Sequence, residues 1–127
     1  MRRKPLHDPV LISNNVYLFS AFSAYLDNFP YLSVMILISW TLSFLYHYSR
    51  EQDFHKLDVK MACTTVGYAL WCFIVVDPPP PIYLFVGVGV FTLGMFCLKI
   101  ESYDDRYDLY HTLWHLLSGL SIIILCH

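Results

Sequence analysis

Ser43 and His47 lie four residues apart, Asp58 follows eleven residues after His47, and His111 and His115 are again four apart. A spacing of four puts two side chains on one face of a helix, one turn apart. Ser39 and Ser118 continue the two stripes by a further turn. An H-x-x-x-H pair offers two ligands from one helix, and His47 supplies a third imidazole from a neighbouring one. Three imidazoles with a fourth position left open make a catalytic zinc site. Zinc brings the pKa of its water to about 7. Asp58 can then accept the proton as general base, and Ser43 can donate to a developing oxyanion. The expected metal ligands are therefore His47, His111 and His115, and the expected catalytic residues Asp58 and Ser43. Thr112 stands where H-E-x-x-H requires Glu, which argues against a zincin-type protease. Each residue alone has a plainer reading. A histidine can be hydrogen-bonded within a helix pack, Asp58 can cap a helix N-terminus, and Ser43 can bond back to its own helix. His7, His55 and His127 fall in polar ends or loops and read as solvated.

Membrane helices must position these groups. The chain has 127 residues and is 57% hydrophobic but only 14% charged, where a soluble domain carries about 25%. So small a globule could not cover itself with polar groups without large exposed apolar patches. High apolar content with net charge −2 also excludes disorder. Eight basic residues against ten acidic ones leave no excess for binding nucleic acid. Apolar stretches at 30–48, 59–76, 82–98 and 109–126 each have the length of a membrane span. A fifth, 10–26, is uncharged but interrupted by Asn14 and Asn15; its alternative is a helix lying in the interface. The expected fold is an all-α integral membrane protein, a single domain over 1–127, built as an antiparallel bundle of about five transmembrane helices.

The charges give this bundle a direction. With five spans and the N-terminus inside, Arg2, Arg3, Lys4, Arg50, Lys56, Lys60, Lys99 and Arg106 all lie on the inner side. The outer turns, 27–29 and 77–81, hold no basic residue, which is the positive-inside pattern. A multi-pass protein with a cytosolic N-terminus is expected. His47, Asp58, His111 and His115 then fall at one depth near the cytosolic face, with Ser43 one turn deeper. Ionisable groups at membrane depth are functional candidates by default. Residues 27–30 read as a tight turn and 78–81 as a proline elbow that no helix can cross. Gly87, Gly89 and Gly94 would permit close helix contacts. Cys63, Cys72, Cys97 and Cys126 all fall in apolar stretches and read as core filler. The charged start lacks the small-residue cleavage site of a secretory signal, so no leader is expected to be removed.

The segments S-F-L-Y-H (43–47), L-D (57–58) and Y-H-T-L-W-H-L-L-S-G (110–119) together resemble one membrane superfamily. This is the CREST-type group of alkaline ceramidases, progestin/adiponectin receptors and myomaker-like proteins. The phrase H-T-L-W-H-L-L looks closest to the myomaker-like branch, and W-H-L-L-S-G is also similar to the ceramidases. The resemblance covers roughly residues 30–126. It implies that His47, His111 and His115 bind Zn2+, with Ser43 and Asp58 around them, and that an amide or ester bond of a membrane lipid is hydrolysed. The family has seven spans where this chain has room for five, and oligomerisation would restore the enclosure. The acidic N-terminal calcium motif of the ceramidases is absent.

Two other functions compete with a zinc-dependent intramembrane lipid hydrolase. One is a non-catalytic membrane-remodelling or receptor-like protein in which zinc staples helices. The other is a small transporter or assembly subunit with the histidines as a proton relay. The lipid concerned and the membrane concerned are not legible in the sequence.

Overall fold

The computed structural model describes residues 6–101 and 106–126. Arg2, Arg3, Lys4 and His127 lie outside the described residues. Among those described there are helices and turns and no strand: α1 (Pro9–Ser13), α2 (Val16–Leu26), α3 (Pro30–Ser49), α4 (Gln52–Trp71), α5 (Pro81–Ile100) and α6 (Tyr107–Leu125). Three helical stretches are long and apolar enough to cross a membrane: Pro30–Ser49, Gln52–Val76 and Pro81–Ile100. At 19 residues α6 has the length of a span, but it carries Asp108, two histidines and two serines along its course.

Local chemistry sets the helix ends. The Asp8 carboxylate accepts the Val10 N–H (3.0 Å) and caps α1, with Pro9 in its first turn. Such a cap is worth about 1 kcal/mol. The 27–30 turn is a Schellman close. Asn28 takes the left-handed conformation (φ 63), the Phe29 N–H reaches back to Ala24 O, and the Asn28 N–H to Tyr25 O. Pro30 then starts α3 with φ already set for a helix. Arg50, also left-handed (φ 62), ends α3 and turns the chain into α4 within two residues. The proline run delivers Pro81 into the first turn of α5.

Two elements differ from the sequence reading. The stretch 10–26 is not one helix but α1 and α2 with a break at Asn14–Asn15. There the backbone tightens to i→i−3 bonds, from Asn15 N–H to Ile12 O and from Tyr17 N–H to Asn14 O. The two side chains clip the break to α3. Asn14 Nδ2 donates to Trp40 O (3.1 Å), and Trp40 Nε1 donates to Asn15 Oδ1 (3.3 Å). Asn14 is buried, and a polar group removed from water needs such a partner. Second, α4 begins at Gln52 rather than near residue 59, so 52–58 is helix and not a loop. At its far end α4 passes into a π-helical turn, Cys72–Val76, closed by the Asp77 N–H on Cys72 O.

The chain of contacts runs α4 on α3, α3 on α2, α2 on α6 and α6 on α5, with α1 wedged against α6 and α3. The apolar core lies around the Phe29 turn: Ala21, Ala24, Leu32, Ile36, Cys72, Phe73 and Leu125 close round it. Phe29 and Phe73 meet edge to face at 5.4 Å. Toward the other end the interior turns polar. Ser13, Asn14, Ser20, Ser43, His47, Thr65, His115, Ser118 and Ser121 are all buried, while Phe85, Phe96, Trp71, Ile74 and Val76 are exposed. Such a reversal is consistent with lipid as solvent. Gly87 and Gly94 face Leu125 and Leu117 of α6, whereas Gly89 meets nothing within 4 Å. Cys72, Cys97 and Cys126 are buried as expected of filler; Cys63 is exposed.

Candidate metal centre

Helices α3 and α6 bring their histidines together at the polar end. His47 comes from the last turn of α3, and His111 and His115 from the first turns of α6. One ring nitrogen from each lies within 4.8 Å of those of the other two, so the group can hold a metal ion. Nε2 of His111 and Nε2 of His47 are 2.9 Å apart. Ring centroids are 4.6 Å (His47–His111), 4.7 Å (His111–His115) and 5.3 Å (His47–His115), with interplanar angles of 67–75°. Nitrogens about 2.0–2.1 Å from a tetrahedral ion stand roughly 3.3 Å apart, near the 2.9 Å between His47 and His111. His47 is 0% and His115 2% exposed.

On the two histidines of α6 the other ring nitrogen is engaged. His115 Nδ1 faces Val10 O (3.3 Å) and Ser13 Oγ (3.2 Å). Ser13 Oγ itself donates to Val10 O (3.0 Å). A carbonyl only accepts, so the His115 proton sits on Nδ1 and Nε2 keeps its lone pair. His111 Nδ1 meets Glu101 Oε2 at 2.8 Å. Tyr17 packs edge-on to His115 (5.7 Å) and shares a 2.6 Å hydrogen bond with Ser118, while Tyr107 stacks on His111 (4.9 Å, 19°). The two rings of α6 are thus held at Nδ1, and Nε2 of His111 faces Nε2 of His47.

Asp58 and Ser43 stand near this group without joining it. Ser43 is buried on α3, one turn before His47. Asp58 is half-buried on α4 and lies close enough to His111 and Tyr17 to interact with them electrostatically. It is no helix cap: α4 starts six residues earlier, with Glu51 at the cap position. Ser39 shares a hydrogen bond with Thr65 (2.9 Å) and so ties α3 to α4. His7 is exposed as expected. His55 is only partly exposed, with its ring 4.5 Å from that of Tyr46.

Four contributors were not legible in the sequence: Val10 O, Ser13, Tyr17 and Glu101. The first three sit in the weakest candidate span, and a backbone carbonyl leaves no mark in a sequence. Glu101 reads as one more charge at a membrane interface. The one available signal was its place just past an apolar helix, where a cation is the favoured residue.

An apolar cleft opens between α4, α5 and α6, lined by Val66, Leu70, Phe73, Val88, Phe91 and Leu125, with Thr65 and Ser121 at its edge. No protein-family model matches the chain, and comparison with curated proteins and with solved structures likewise gives no match.

Proposed function

We propose that this chain is a multi-pass membrane protein that holds zinc on His47, His111 and His115 and hydrolyses an amide or ester bond of a membrane lipid. In this reading it is a shortened relative of the CREST-type superfamily, on the strength of the 43–47, 57–58 and 110–119 segments. The observation that carries the proposal is the convergence of three buried or half-buried imidazoles from two helices. Imidazole nitrogens as ligands suit zinc better than the hard cations, which take oxygen ligands. The α1–α2 pair and α6 complete five crossings. Arg50, Lys56, Lys99 and Arg106 then share the cytosolic side with the histidines.

Zinc bound there supplies an activated water near neutral pH and a Lewis acid for a carbonyl. Asp58 takes the proton of the attacking water on a carboxylate oxygen and passes it to the leaving amine or alcohol. Ser43 donates its hydroxyl to the carbonyl oxygen as negative charge builds. The cleft between α4, α5 and α6 receives an acyl chain and excludes water from it. Phe85, Phe96 and Val76 leave apolar surface for a second copy to cover.

Elemental analysis of the purified protein, with lipid mass spectrometry on cells making wild type or His115→Ala, tests this reading. One zinc per chain and a lipid pool that changes only with wild type are expected. Protein without stoichiometric zinc would overturn it.

A second reading has its own observation. Helices α3 and α6 pack on α2 from two sides and approach each other little elsewhere, so an ion on their histidines also ties them together. Binding energy of structural zinc reaches about 10 kcal/mol. If Asp58→Asn keeps both zinc and the protein's biological effect, the ion is a staple and not a catalyst.

A further inference from the structure

We infer that Glu101 is a positioning residue for the metal centre: by accepting the His111 Nδ1–H it fixes which nitrogen His111 presents to the ion. The inference rests on the zinc reading and extends it to a residue of α5, which gives no ligand of its own.

A histidine ligand must keep one ring nitrogen bare and aimed at the metal, and the hydrogen bond at the other nitrogen decides which one that is. Glu101 Oε2 lies 2.8 Å from His111 Nδ1, with the two side chains only 13% and 12% exposed. A carboxylate accepts, so the His111 proton belongs on Nδ1 and the lone pair on Nε2. That Nε2 is the atom 2.9 Å from Nε2 of His47. Tyr107 stacked on the ring stops it from turning over. His115 gains the same orientation from Val10 O and Ser13. The two ligands of α6 are therefore set by different donor–acceptor pairs, and only His111 depends on a charge.

The position of Glu101 supports a purpose beyond solvation. It is the C-cap residue of α5, where the helix dipole is negative and an anion is disfavoured. A carboxylate held there, largely buried, needs a partner that offsets both terms. His111, ten residues on, is such a partner.

The test uses the full chain in detergent micelles with Zn2+ alone as ligand, and the variants Glu101→Leu, Glu101→Gln and His111→Ala. Zinc dissociation constants come from chelator competition, and the His111 tautomer from 15N shifts of the metal-free protein. Glu101→Leu is expected to weaken zinc about 10- to 100-fold and to move part of the His111 proton to Nε2. Glu101→Gln retains a neutral acceptor; it is expected to keep the tautomer and to weaken zinc measurably but less than Glu101→Leu does. His111→Ala must lose binding outright. Wild-type affinity and tautomer in both Glu101 variants would overturn the inference while the zinc reading stands. Should Glu101→Leu not fold, an unchanged affinity in Glu101→Gln overturns it equally. Wild-type protein that binds no zinc defeats the zinc reading, and the inference with it, whatever the tautomer.

Discussion

The two ends of this helix pack are held by opposite means. Around Phe29 the contacts are apolar: Ala21, Leu32, Ile36, Phe73 and Leu125 fill one another's gaps. Around His47 they are polar and directional, running through Ser13, Tyr17, Glu101 and Ser118. In lipid the apolar end gains little from hydrophobicity, because the tails are as apolar as the core; it is held by close packing. The polar end gains from each satisfied group, because the alternative is an unpaired polar atom in hydrocarbon. Packing tolerates exchange of one apolar shape for another. A hydrogen-bonded centre does not, so geometry for chemistry belongs at that end.

Four substitutions press on this contrast. His115→Ala removes a ligand and leaves Val10 O and Ser13 facing a hole; zinc binding is expected to vanish, read by elemental analysis. Retained stoichiometric zinc would break the comparison. Asp58→Asn is expected to keep zinc and lower turnover of the lipid by about 100- to 10,000-fold, the range of general-base catalysis. At the apolar end, Leu32→Ala, at a fully buried site, should destabilise the fold by about 2 kcal/mol, the low edge of such truncations. A thermal melt in detergent reads this, and zinc stoichiometry should stay at wild type. Loss of zinc there would mean that the ends are coupled. Tyr17→Phe deletes only the 2.6 Å bond to Ser118. It should shift stability by about 0.6 kcal/mol, the mean for a bond between membrane helices, again seen by melting.

The apolar end was legible from sequence because a hydrophobic run announces itself, and the proline and Asp-Asn turns mark its corners. Of the polar end, the three histidines were legible because their fourfold spacing states a shared face. Their supports were not. Glu101 and His111 come from different helices, and nothing in the local sequence states that pairing. The start of α4 was missed for a related reason. Glu51–Asp58 has good helix formers but no apolar run, and a search for membrane stretches stops where the charges begin. The break at Asn14–Asn15 was visible as composition, but the partners of the two side chains, the Trp40 carbonyl and indole, sit on another helix.

The pairing of α1 and α2 with α6 has a consequence for synthesis. Ser13 and His115 are 102 residues apart, Tyr17 and Ser118 are 101, and Ser20 donates to Gly119 O across 99. Ser13, Tyr17 and Ser20 are thus made well before the α6 partners they meet in the fold, whereas Asn14 and Asn15 find theirs already on α3. A chain arrested after Ile100 should be cleaved readily by protease within residues 9–26, and adding α6 should protect it.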